Sequence, residues 1–403
     1  MTSPVDTSVK YFSSLMSGAP ALSGTVGTLI ALLDACLKDG FDTKTLTALT
    51  VASGVATATW SGNHSAQIDS VVSIAGVTGG PSGFAGLNGE QKVVTKPTAS
   101  SLTFATALPD GTYTGTITMK MAPLGFAKPF SGTNLAGYQS SDPASTKMIL
   151  RVDDTGTTVA RVVGCESMTD INTYAGLFPS ALQISGGGYW AKSNNANSTA
   201  VQWMLIGDSR AFYLHVCGGY SSSSSFTHGF TKFFGDTTAF KPGGDGYACA
   251  LGYSTTSTAS SQTDGQPEAN TNAQQAFPRA PSGLGTSQLH ICAAYTGATT
   301  AYSGIDTFFG ALPNPIDGSL RLSKRYFATG TSVAPRGEAP GLYSTPHSLA
   351  FDSFKFNDRV AGSGPLVGKN FLVVNPSNTN TTSVPNTSNT GATFFDITGP
   401  WPR

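Results

Sequence analysis

The sequence predicts a mainly β protein, and three observations support this fold class. Glycine and proline are abundant, at 47 and 23 of the 403 residues, as in chains of many short strands joined by turns. Most apolar runs are short and alternate with polar residues, which is the period of a strand. Only one stretch, near the N-terminus, has a helical period. We therefore predict an N-terminal arm and helix at 1–45, a small β-sandwich or barrel module at 46–125, and a larger β-sandwich-like domain with long loops at 126–403.

The predicted helix lies in "SGTVGTLIALLDACLKDGF", residues 23–41. Its apolar residues recur at helical spacing on one face, namely Val26, Leu29, Ile30, Leu33 and Leu37. Ser23 or Thr25 is expected to cap the start, and Gly40 to end the helix. The opposite face is only weakly polar, so we expect the helix to pack on a sheet or on a neighbouring subunit. The preceding arm, "VKYFSSLMSGAP", is interpreted as a docking segment.

The module at 46–125 is predicted from a change of period to two. "LTVASGVATATW" alternates around a Ser-Gly turn, and "IDSVVSIAGVTG", "LNGEQKVVTK", "SLTFATAL" and "YTGTITMKMAP" follow as further strands. Asn88-Gly89 and Asp110-Gly111 are predicted turns. Strands spaced this evenly over roughly 75 residues indicate a small sandwich or barrel.

The larger domain begins after the Pro/Gly-rich stretch "APLGFAKPFSGTN". Beyond it, short β-branched or aromatic segments are each broken by turn residues, which predicts more strands. They include "STKMILRVDDTG", "VQWMLIG", "RAFYLHVCGG", "QLHICAAY" and "KNFLVV". Long polar spacers such as "GGYSSSSSFTHG" and "NPSNTNTTSVPNTSNTG" separate some of them. Loops of this length are uncommon in compact monomers and are typical of binding or interface segments.

Charge is sparse and balanced, with 23 Lys and Arg against 23 Asp and Glu. This balance argues against a nucleic-acid partner, because binding nucleic acid usually requires an excess of basic residues. A net charge near zero also favours association, so it is typical of a protein that works as part of an assembly. The five cysteines form no C-x-x-C pair and are interpreted as small buried thiols. No apolar run approaches the ~20 residues of a membrane helix, and the N-terminus has no secretory pattern. We expect no membrane span and a protein that stays in the cytoplasm until assembly.

The Gly-Asp-Ser within "VQWMLIGDSRAFYLHV", residues 201–216, matches the block that carries the nucleophilic serine of one large group of esterases. Such an enzyme also needs its serine at a strand-to-helix turn, and a late Asp-x-x-His that supplies the base. No histidine of this chain has an aspartate three residues before it. The flanking runs alternate, and their predicted faces are Phe212, Leu214 and Val216 against Ala211, Tyr213 and His215. We interpret "GDSR" as a hairpin tip, where Asp208 and Arg210 are better placed than Ser209 to meet a neighbouring subunit.

Other motifs are too incomplete to assign chemistry. "GSGPLVGKN", residues 362–370, departs from a phosphate loop at two required positions, and a strand rather than a helix is predicted after it. His215 and Cys217 share a predicted strand with His228 nearby, but no second ligand pair accompanies them. "DDTG" at 153–156 is interpreted as a hairpin turn whose aspartates bond local backbone. We predict no catalytic residue, no metal and no cofactor.

Four aromatic residues flank Gly- and Ser-rich stretches, namely Tyr189, Trp190, Tyr220 and Phe226. Clusters of this kind stack on sugars or anchor a protein partner. The two uses look the same in sequence, and we favour a subunit contact over a sugar-binding loop.

The segments "SVKYFSSLMSGAPALSGTVGTLIALLDACLKDGF", "LRVDDTGTTVARVVGCESMTDI", "RGEAPGLY" and "FFDITGPW" occur in spaced blocks along the chain. Together with "TVASGVATATW…VVSIAG…LNGEQKVV", they resemble virion structural proteins of tailed bacteriophages that infect proteobacteria. The piece at roughly 49–118 is similar to a small β-module of phage proteins, although it lacks that module's usual His-Gly and Gly-Asp. The resemblance implies a non-enzymatic virion component, of the tail rather than the head, and it supplies no catalytic residues.

We therefore predict a structural protein of the phage tail, baseplate or fibre-attachment region, assembled in the host cytoplasm. It would form a symmetric homo-oligomer and dock on other tail or head–tail proteins. A receptor- or glycan-binding tail appendage that contacts a host surface glycan is the alternative, and a head decoration protein or a serine esterase are further ones. The predicted interface residues are Tyr11, Phe12, Leu29, Leu33, Leu37, Trp190, Asp208, Arg210, Tyr220 and Phe226.

Overall fold

The computed structural model describes residues 3–218, 229–268, 274–294, 322–329, 334–344, 354, 356–374 and 392–403. Within these residues the chain is mainly β, which confirms the predicted fold class. One short helix, a closed barrel, and a large and a smaller antiparallel sheet make up most of the architecture. No helix in the described part is long and apolar enough to cross a membrane.

The N-terminal arm adds an edge strand to the chain's own large sheet. Strand β1 (Lys10–Ser13) pairs antiparallel with β16 (Trp203–Gly207), and all four of its residues are buried. The hydroxyl of Tyr11 also donates a hydrogen bond to the carbonyl oxygen of Ile68, 2.7 Å away. The arm is thus held on two sides by later parts of the same chain.

Helix α1 (Thr28–Leu33) continues directly into a π-helical segment, Asp34–Asp39. Gly40 follows with a φ of 71°, which confirms the predicted end of the helix. The predicted start is wrong, because α1 begins after Gly27, whose φ is 82°, and no side chain there provides a cap. The segment that was expected to form the first helical turn forms a bend and a turn instead.

The start of α1 is stabilised by a carboxylate from a distant strand. Oδ2 of Asp154 accepts hydrogen bonds from the backbone N–H groups of Leu29 and Ile30, at 2.8 and 3.1 Å. Its Oδ1 accepts one from Nζ of Lys192 at 2.5 Å, and both side chains are fully buried. A carboxylate in this position satisfies free helical N–H groups and interacts favourably with the helix dipole. The predicted local turn is formed by Asp153 alone, which accepts bonds from the residue two positions later.

The barrel follows the helix and contains most of the predicted module. Its strands are β2 (Phe41–Ala52), β3 (Val55–Trp60), β4 (Val71–Ala75), β5 (Gly89–Thr98), β6 (Ser101–Ala105), β7 (Gly111–Tyr113) and β8 (Thr118–Met121). Hydrogen bonds link β2, β3, β6, β5, β4 and β8 in that order, and β8 returns to the first half of β2. Six strands therefore close a barrel without open edges, while β7 pairs with the second half of β2.

Of two turns predicted in the barrel module, one is present and the other is not. Ser53 and Gly54 have positive φ values of 52° and 77° and form the predicted two-residue hairpin between β2 and β3. Asn88 does not form a hairpin, because it follows a 3₁₀ turn at Phe84–Leu87. Its side-chain amide instead bonds both the N–H and the C=O of Val77, each at 3.0 Å.

A five-stranded antiparallel sheet comes next, in the order β15-β12-β11-β10-β9. The strands are β9 (Phe126–Gly132), β10 (Leu135–Ser140), β11 (Ile149–Asp153), β12 (Val159–Cys165) and β15 (Gly188–Ala191), with a separate hairpin of β13 (Ser167–Asp170) and β14 (Thr173–Ala175). The sheet packs face-on against the large sheet. The rings of Trp190 and Phe126 contact Phe212 edge-on, at 6.2 and 5.8 Å between centroids. This layering is the predicted sandwich-like arrangement.

The large sheet has 13 strands within the described residues. Besides β1 and β16 these are β17 (Ala211–Val216), β18 (Phe230–Asp236), β19 (Thr238–Ala239), β20 (Cys249–Gly252), β21 (Gln275–Phe277), β22 (Gln288–Ala294), β23 (Ser323–Thr329), β24 (Ala334–Ser344), β25 (Arg359–Ala361), β26 (Asn370–Val374) and β27 (Thr393–Asp396). Their order is β1-β16-β17-β18-β20-β21-β22-β23-β24-β27-β26-β25, and β19 pairs with β24. Single 3₁₀ turns lie at Ala259–Ser261 and Gly364–Leu366.

This sheet curls so that strands far apart in its order face each other, and we call it the roll. The ring of Tyr213 in β17 lies 4.8 Å from that of Phe395 in β27, and its hydroxyl donates to the carbonyl of Pro340 at 2.9 Å. At the two ends of the sheet, Arg359 of β25 donates a hydrogen bond to the hydroxyl of Tyr11 in β1. The two edges of the roll are thereby brought together.

Strand β17 is buried on both faces because it separates two parts of the core. Phe212 faces the five-stranded sheet, whereas Tyr213 faces the interior of the roll. The predicted alternation of residues 211–216 is therefore confirmed, although neither face reaches solvent. One continuous cluster of buried apolar side chains extends from Val9 to Trp401 and includes residues of the arm, the helix, the barrel and both sheets.

Candidate functional site

The Gly-Asp-Ser segment forms the tip of the hairpin between β16 and β17, as predicted. Oδ1 of Asp208 accepts hydrogen bonds from the backbone N–H groups of Arg210 and Ala211, both at 2.9 Å. The N–H of Asp208 in turn donates to the carbonyl of Ala211. This is the local bonding by which an aspartate stabilises a tight turn. The hydroxyl of Ser209 donates to a carboxylate oxygen of Asp142 at 2.8 Å.

The two charged residues of this tip form ion pairs within the chain. Nε of Arg210 donates to Asp236 at 2.9 Å, and Nη2 of Arg403 donates to both carboxylate oxygens of Asp208 at 2.7 Å. Thr146 adds two hydrogen bonds to Asp236, from its hydroxyl and its N–H. The prediction that Asp208 meets a neighbouring subunit therefore needs correction, because its carboxylate is 9% exposed and fully used by Arg403. For Arg210, whose side chain is 20% exposed, a subunit contact stays a prediction.

These ion pairs form one wall of a cleft of about 570 Å³, which we call the polar cleft. The lining residues are Ala144, Ser145, Thr146, Arg210, Asp236, Thr237, Ala239, Lys241, Gly243, Gly244, Asp245, Gly246, Ala248 and Arg403. Except for three alanines, every residue of this lining is charged, carries a hydroxyl group or is glycine. Five segments contribute: the loop before β11, the hairpin tip, the segment 236–239, the glycine-rich loop 241–248 and the C-terminal residue.

The acidic and basic side chains of the polar cleft differ in exposure. The carboxylates are turned inward, with side-chain exposures of 3% for Asp236 and 0% for Asp245. Asp245 is held from behind by the buried guanidinium of Arg336, at 3.1 Å. The Arg210 side chain is 20% exposed, and Lys241 is an exposed residue. A molecule entering the cleft meets cations before it meets carboxylates.

The predicted contact residues of the arm and helix lie inside the molecule. Tyr11 is 1% exposed, and Phe12, Leu29, Leu33 and Leu37 are fully buried. The structure corrects their role, because these side chains belong to the chain's own apolar cluster and do not form an exposed surface. One of the two partners considered for the helix, a sheet of the same chain, packs against it.

The predicted aromatic cluster is divided in the structure. Trp190 is fully buried, and its Nε1 donates to the carbonyl of Gly252 at 2.8 Å, so it is not the exposed contact that was expected. Tyr189 is half-buried, and the guanidinium of Arg161 lies over its ring at 4.1 Å. Tyr220 and Phe226 lie outside the described residues.

The other candidate motifs of the sequence bring no ligand set together in the described part. Gly364–Leu366 is a 3₁₀ turn followed by β26, so the predicted strand after the phosphate-loop-like segment is confirmed. Nδ1 of His215 shares a hydrogen bond with the Thr231 hydroxyl at 2.9 Å inside the roll. His228 lies outside the described residues. Among the residues that are described, no group of three or more His, Cys, Asp or Glu could hold a metal ion.

A second, apolar surface was not predicted from the sequence. A groove of about 280 Å³ lies between the segments 176–181 and 278–287, and we call it the apolar groove. Its lining is Glu166, Gly176, Leu177, Ser180, Ala181, Pro278, Arg279, Gly285, Thr286 and Ser287. The side-chain amide of Gln183 joins the two segments by donating to the carbonyl of Ser287 at 2.9 Å.

Two leucines next to this lining are exposed to solvent. Leu182 is 100% and Leu284 is 72% exposed, which are high values for large apolar residues of this chain. Both lie in the same short sequence, Pro-Ser-x-Leu, at 179–182 and 281–284. An isolated leucine in a Pro/Ser/Gly turn is the signal that could have identified this surface, since such a turn has no core face on which to bury it.

Further charged groups are buried within the roll. Glu268 is fully buried, and this burial raises the pKa of its carboxyl group to about 7. The Thr231 hydroxyl and the charges of Arg325 and Lys232 oppose that pKa shift without cancelling it. Each of the three nitrogens of the Arg325 guanidinium donates a hydrogen bond, to Pro267, Ser344 and Cys292.

Comparisons with known proteins add no relative to this geometry, because no family model matches the sequence and no curated protein is significantly similar to it. The functional interpretation therefore depends on the two surfaces and on the segments of the sequence itself.

Proposed function

We propose that the protein is a non-enzymatic structural component of a tailed-phage virion, part of the tail, which acts by self-association and by docking on other virion proteins. The spaced segments that resemble phage virion proteins support the proposal. The balanced charge, 23 basic against 23 acidic residues, supports it as well, because neutrality favours association. The observation that carries the proposal is the apolar groove with its two exposed leucines.

The apolar groove has the features of a subunit contact. Burying one leucine side chain is worth about 1.5–3 kcal/mol relative to leaving it in water, so Leu182 and Leu284 provide a driving force for association. The groove between their segments offers space for an inserted side chain. At its rim, Arg279 donates to the carboxylate of Glu166 at 2.7 Å, a charged pair that would fix orientation. A second copy of the chain is the proposed occupant, repeated around a symmetry axis.

The oligomeric state tests this contact. Sedimentation velocity of the full chain should show a concentration-dependent oligomer, and Leu182→Asp and Leu284→Asp should each convert it to monomer. Val367→Asp is the matched control, because Val367 is 74% exposed but lies outside the two segments that form the groove. A wild-type protein that stays monomeric at high concentration would contradict the proposed contact, as would equal dissociation by the control.

Particle composition tests the location. Purified phage particles should contain the protein, and an antibody carrying gold should label the tail in electron micrographs. Leu182→Asp in the phage genome should lower its incorporation while Val367→Asp should not. Protein that is abundant in the lysate but missing from purified particles would exclude a virion component. Labelling of the head would favour the head decoration protein instead.

A further inference from the structure

We infer that the polar cleft binds an anionic saccharide, that is, a hydroxyl-rich ligand that carries a carboxylate. The inference concerns a ligand site on a different surface from the apolar groove, and it does not depend on the assignment to the tail. It depends on three features of the cleft: the direction of its charges, its unused hydrogen-bond donors, and the size and polarity of its lining.

The charges of the cleft favour an anion. Four cations and three carboxylates lie in or directly behind its lining, namely Arg210, Lys241, Arg336 and Arg403 against Asp208, Asp236 and Asp245. The carboxylate side chains are at most 9% exposed, whereas the Arg210 and Arg403 side chains are 20% and 13% exposed and Lys241 is open to solvent. At Asp245 the arginine, Arg336, lies behind the carboxylate, whereas Asp236 and Asp208 hold Arg210 and Arg403 so that these two arginines face the ligand. Arginine held in this way is the residue of choice for an oxyanion.

Several donors at the cleft have no partner among the described residues. Arg210 uses its Nε for Asp236, while its two terminal nitrogens make no hydrogen bond in the described part of the chain. The same holds for Nε of Arg403, whose terminal nitrogens bond Asp236 and Asp208. The acceptors are largely used, since Asp236 already accepts from Thr146 and Arg210. A site rich in free donors and poor in free acceptors fits a ligand with many oxygen acceptors.

The glycine-rich loop adds backbone donors and close access. Within the described residues the N–H groups of Gly243 and Gly246 make no hydrogen bond to protein. Gly243 and Gly244 have φ values of 78° and 89°, and a Cβ atom at either position would meet nothing within 4 Å. These glycines are therefore needed for the backbone conformation and not for internal packing. Without side chains, they leave the backbone free to approach a ligand.

Size and polarity favour a saccharide over a single ion or a protein. A volume of about 570 Å³ is far larger than the ~30 Å³ that one water molecule occupies in the liquid, so a lone inorganic anion would leave most of the cleft wet. Protein partners are usually anchored by large apolar or aromatic side chains in apolar pockets. The lining here contains three alanines as its only apolar residues. A sugar, with hydroxyls around its ring and a carboxylate at one end, matches this lining.

The test uses the full chain and a matched pair of sugars. Isothermal titration calorimetry with trigalacturonate should give a Kd below about 1 mM, and its methyl ester, which keeps the ring hydroxyls but not the charge, should bind at least tenfold more weakly. Binding should weaken further as salt is raised, because exposed cations are screened.

Variants locate the site. Arg210→Ala should weaken trigalacturonate binding at least tenfold and Lys241→Ala about threefold. Lys38→Ala is the control with the same change of charge, at a half-exposed lysine outside the cleft, and it should bind like the wild type. Circular dichroism melting checks that each variant is folded. If Arg210→Ala does not fold, Lys241→Ala still tests the site.

Four results would overturn the inference. The first is that the methyl ester binds as tightly as trigalacturonate, and the second is that both cleft variants bind trigalacturonate like the wild type. The third is that inorganic phosphate competes at the same concentration as the trisaccharide. The fourth is that triglutamate binds as tightly as trigalacturonate. The third would indicate a simple oxyanion site, and the last an acidic protein partner.

Discussion

Two ion pairs of this molecule are built from similar groups but differ in how completely they are closed. The pair of Asp154 and Lys192 at the start of α1 is fully buried. The pair of Asp236 and Arg210 at the polar cleft buries the carboxylate but leaves 20% of the arginine side chain exposed. Nζ of Lys192 donates three hydrogen bonds, to Asp154 and to the carbonyls of Thr25 and Gly156, which is all that an ammonium group can make.

The difference separates a structural role from a binding role. A cation whose donors are all used inside the chain has nothing left to offer a ligand, and its loss must affect folding. A cation that uses one of its donors to stay in place and keeps the others towards a cleft can bind a ligand at small cost to the fold. The comparison is therefore testable through stability, with the largest effect expected at Asp154 and the smallest at the rim of the cleft.

Asp154→Ala should give the largest effect. It removes the carboxylate from two helix N–H groups and leaves Lys192 charged and buried, so we expect the free energy of unfolding to fall by about 3–5 kcal/mol. Urea denaturation followed by circular dichroism measures the change. A loss below about 1 kcal/mol would show that the buried pair does not stabilise the helix. The structural role assigned to the pair of Asp154 and Lys192 would then be wrong.

The double variant Asp154→Asn with Lys192→Met sharpens this prediction. It removes both charges at similar volume, and buried pairs replaced in this way often recover most of the stability that single removal costs. We expect the double variant to be more stable than Lys192→Met alone. Additive losses in the double-mutant cycle would mean that the two side chains act independently.

The buried carboxyl of Glu268 should make stability depend on pH. Its pKa is about 7 in the folded protein against an ordinary value of 4.5, so the folded state takes up this proton first as pH falls. Its contribution to stability is therefore fully present below about pH 4.5 and is lost as pH rises to 7, a change of about 3 kcal/mol. Glu268→Gln should remove this dependence and stabilise the protein at pH 8.

Urea denaturation of both proteins at pH 5 and pH 8 checks the direction. The stability of Glu268→Gln minus that of the wild type should be larger at pH 8 than at pH 5. No difference between the two pH values would mean that the carboxyl of Glu268 is as open to solvent as in the unfolded chain, and the opposite order would mean that the fold stabilises its ionised form.

Local signals in the sequence predicted much of the fold. The alternation in residues 211–216, the turn at Ser53 and Gly54 and the helix end at Gly40 depend on neighbouring residues alone, and the structure contains all three. The alternating residues on both sides of "GDSR" also predicted this segment correctly as a turn. These features could be predicted because the physical cause lies within a few positions of the effect.

The remaining features depend on contacts between distant residues. Asp154 bonds the helix across 125 positions and Arg403 reaches Asp208 across 195, so no local pattern could indicate either. The same applies to Phe12 and Trp190, whose burial depends on how the roll and the five-stranded sheet meet. Apolar side chains were correctly identified as needing a partner, but the sequence does not distinguish a sheet of the same chain from another subunit.

Arg210→Ala should have a small effect on stability, in contrast to Asp154→Ala. Asp236 keeps both hydrogen bonds from Thr146, so we expect the free energy of unfolding to fall by about 1 kcal/mol. Urea denaturation at pH 7 measures it, and the same sample provides the binding measurement. A loss as large as that of Asp154→Ala would place Arg210 among the structural charges and remove the distinction on which the cleft assignment depends.

Lys241→Ala should have the smallest effect of the series. The side chain is exposed and its single hydrogen bond, to the carbonyl of Pro281, competes with water. We expect the free energy of unfolding to change by less than about 0.5 kcal/mol, as for most surface substitutions. Its ammonium group should matter for the ligand alone, so added salt should reduce the difference in trigalacturonate affinity between variant and wild type while leaving their difference in stability unchanged. A salt-dependent loss of stability would indicate that Lys241, too, holds the glycine-rich loop in place, and the cleft would then be maintained by its own cations.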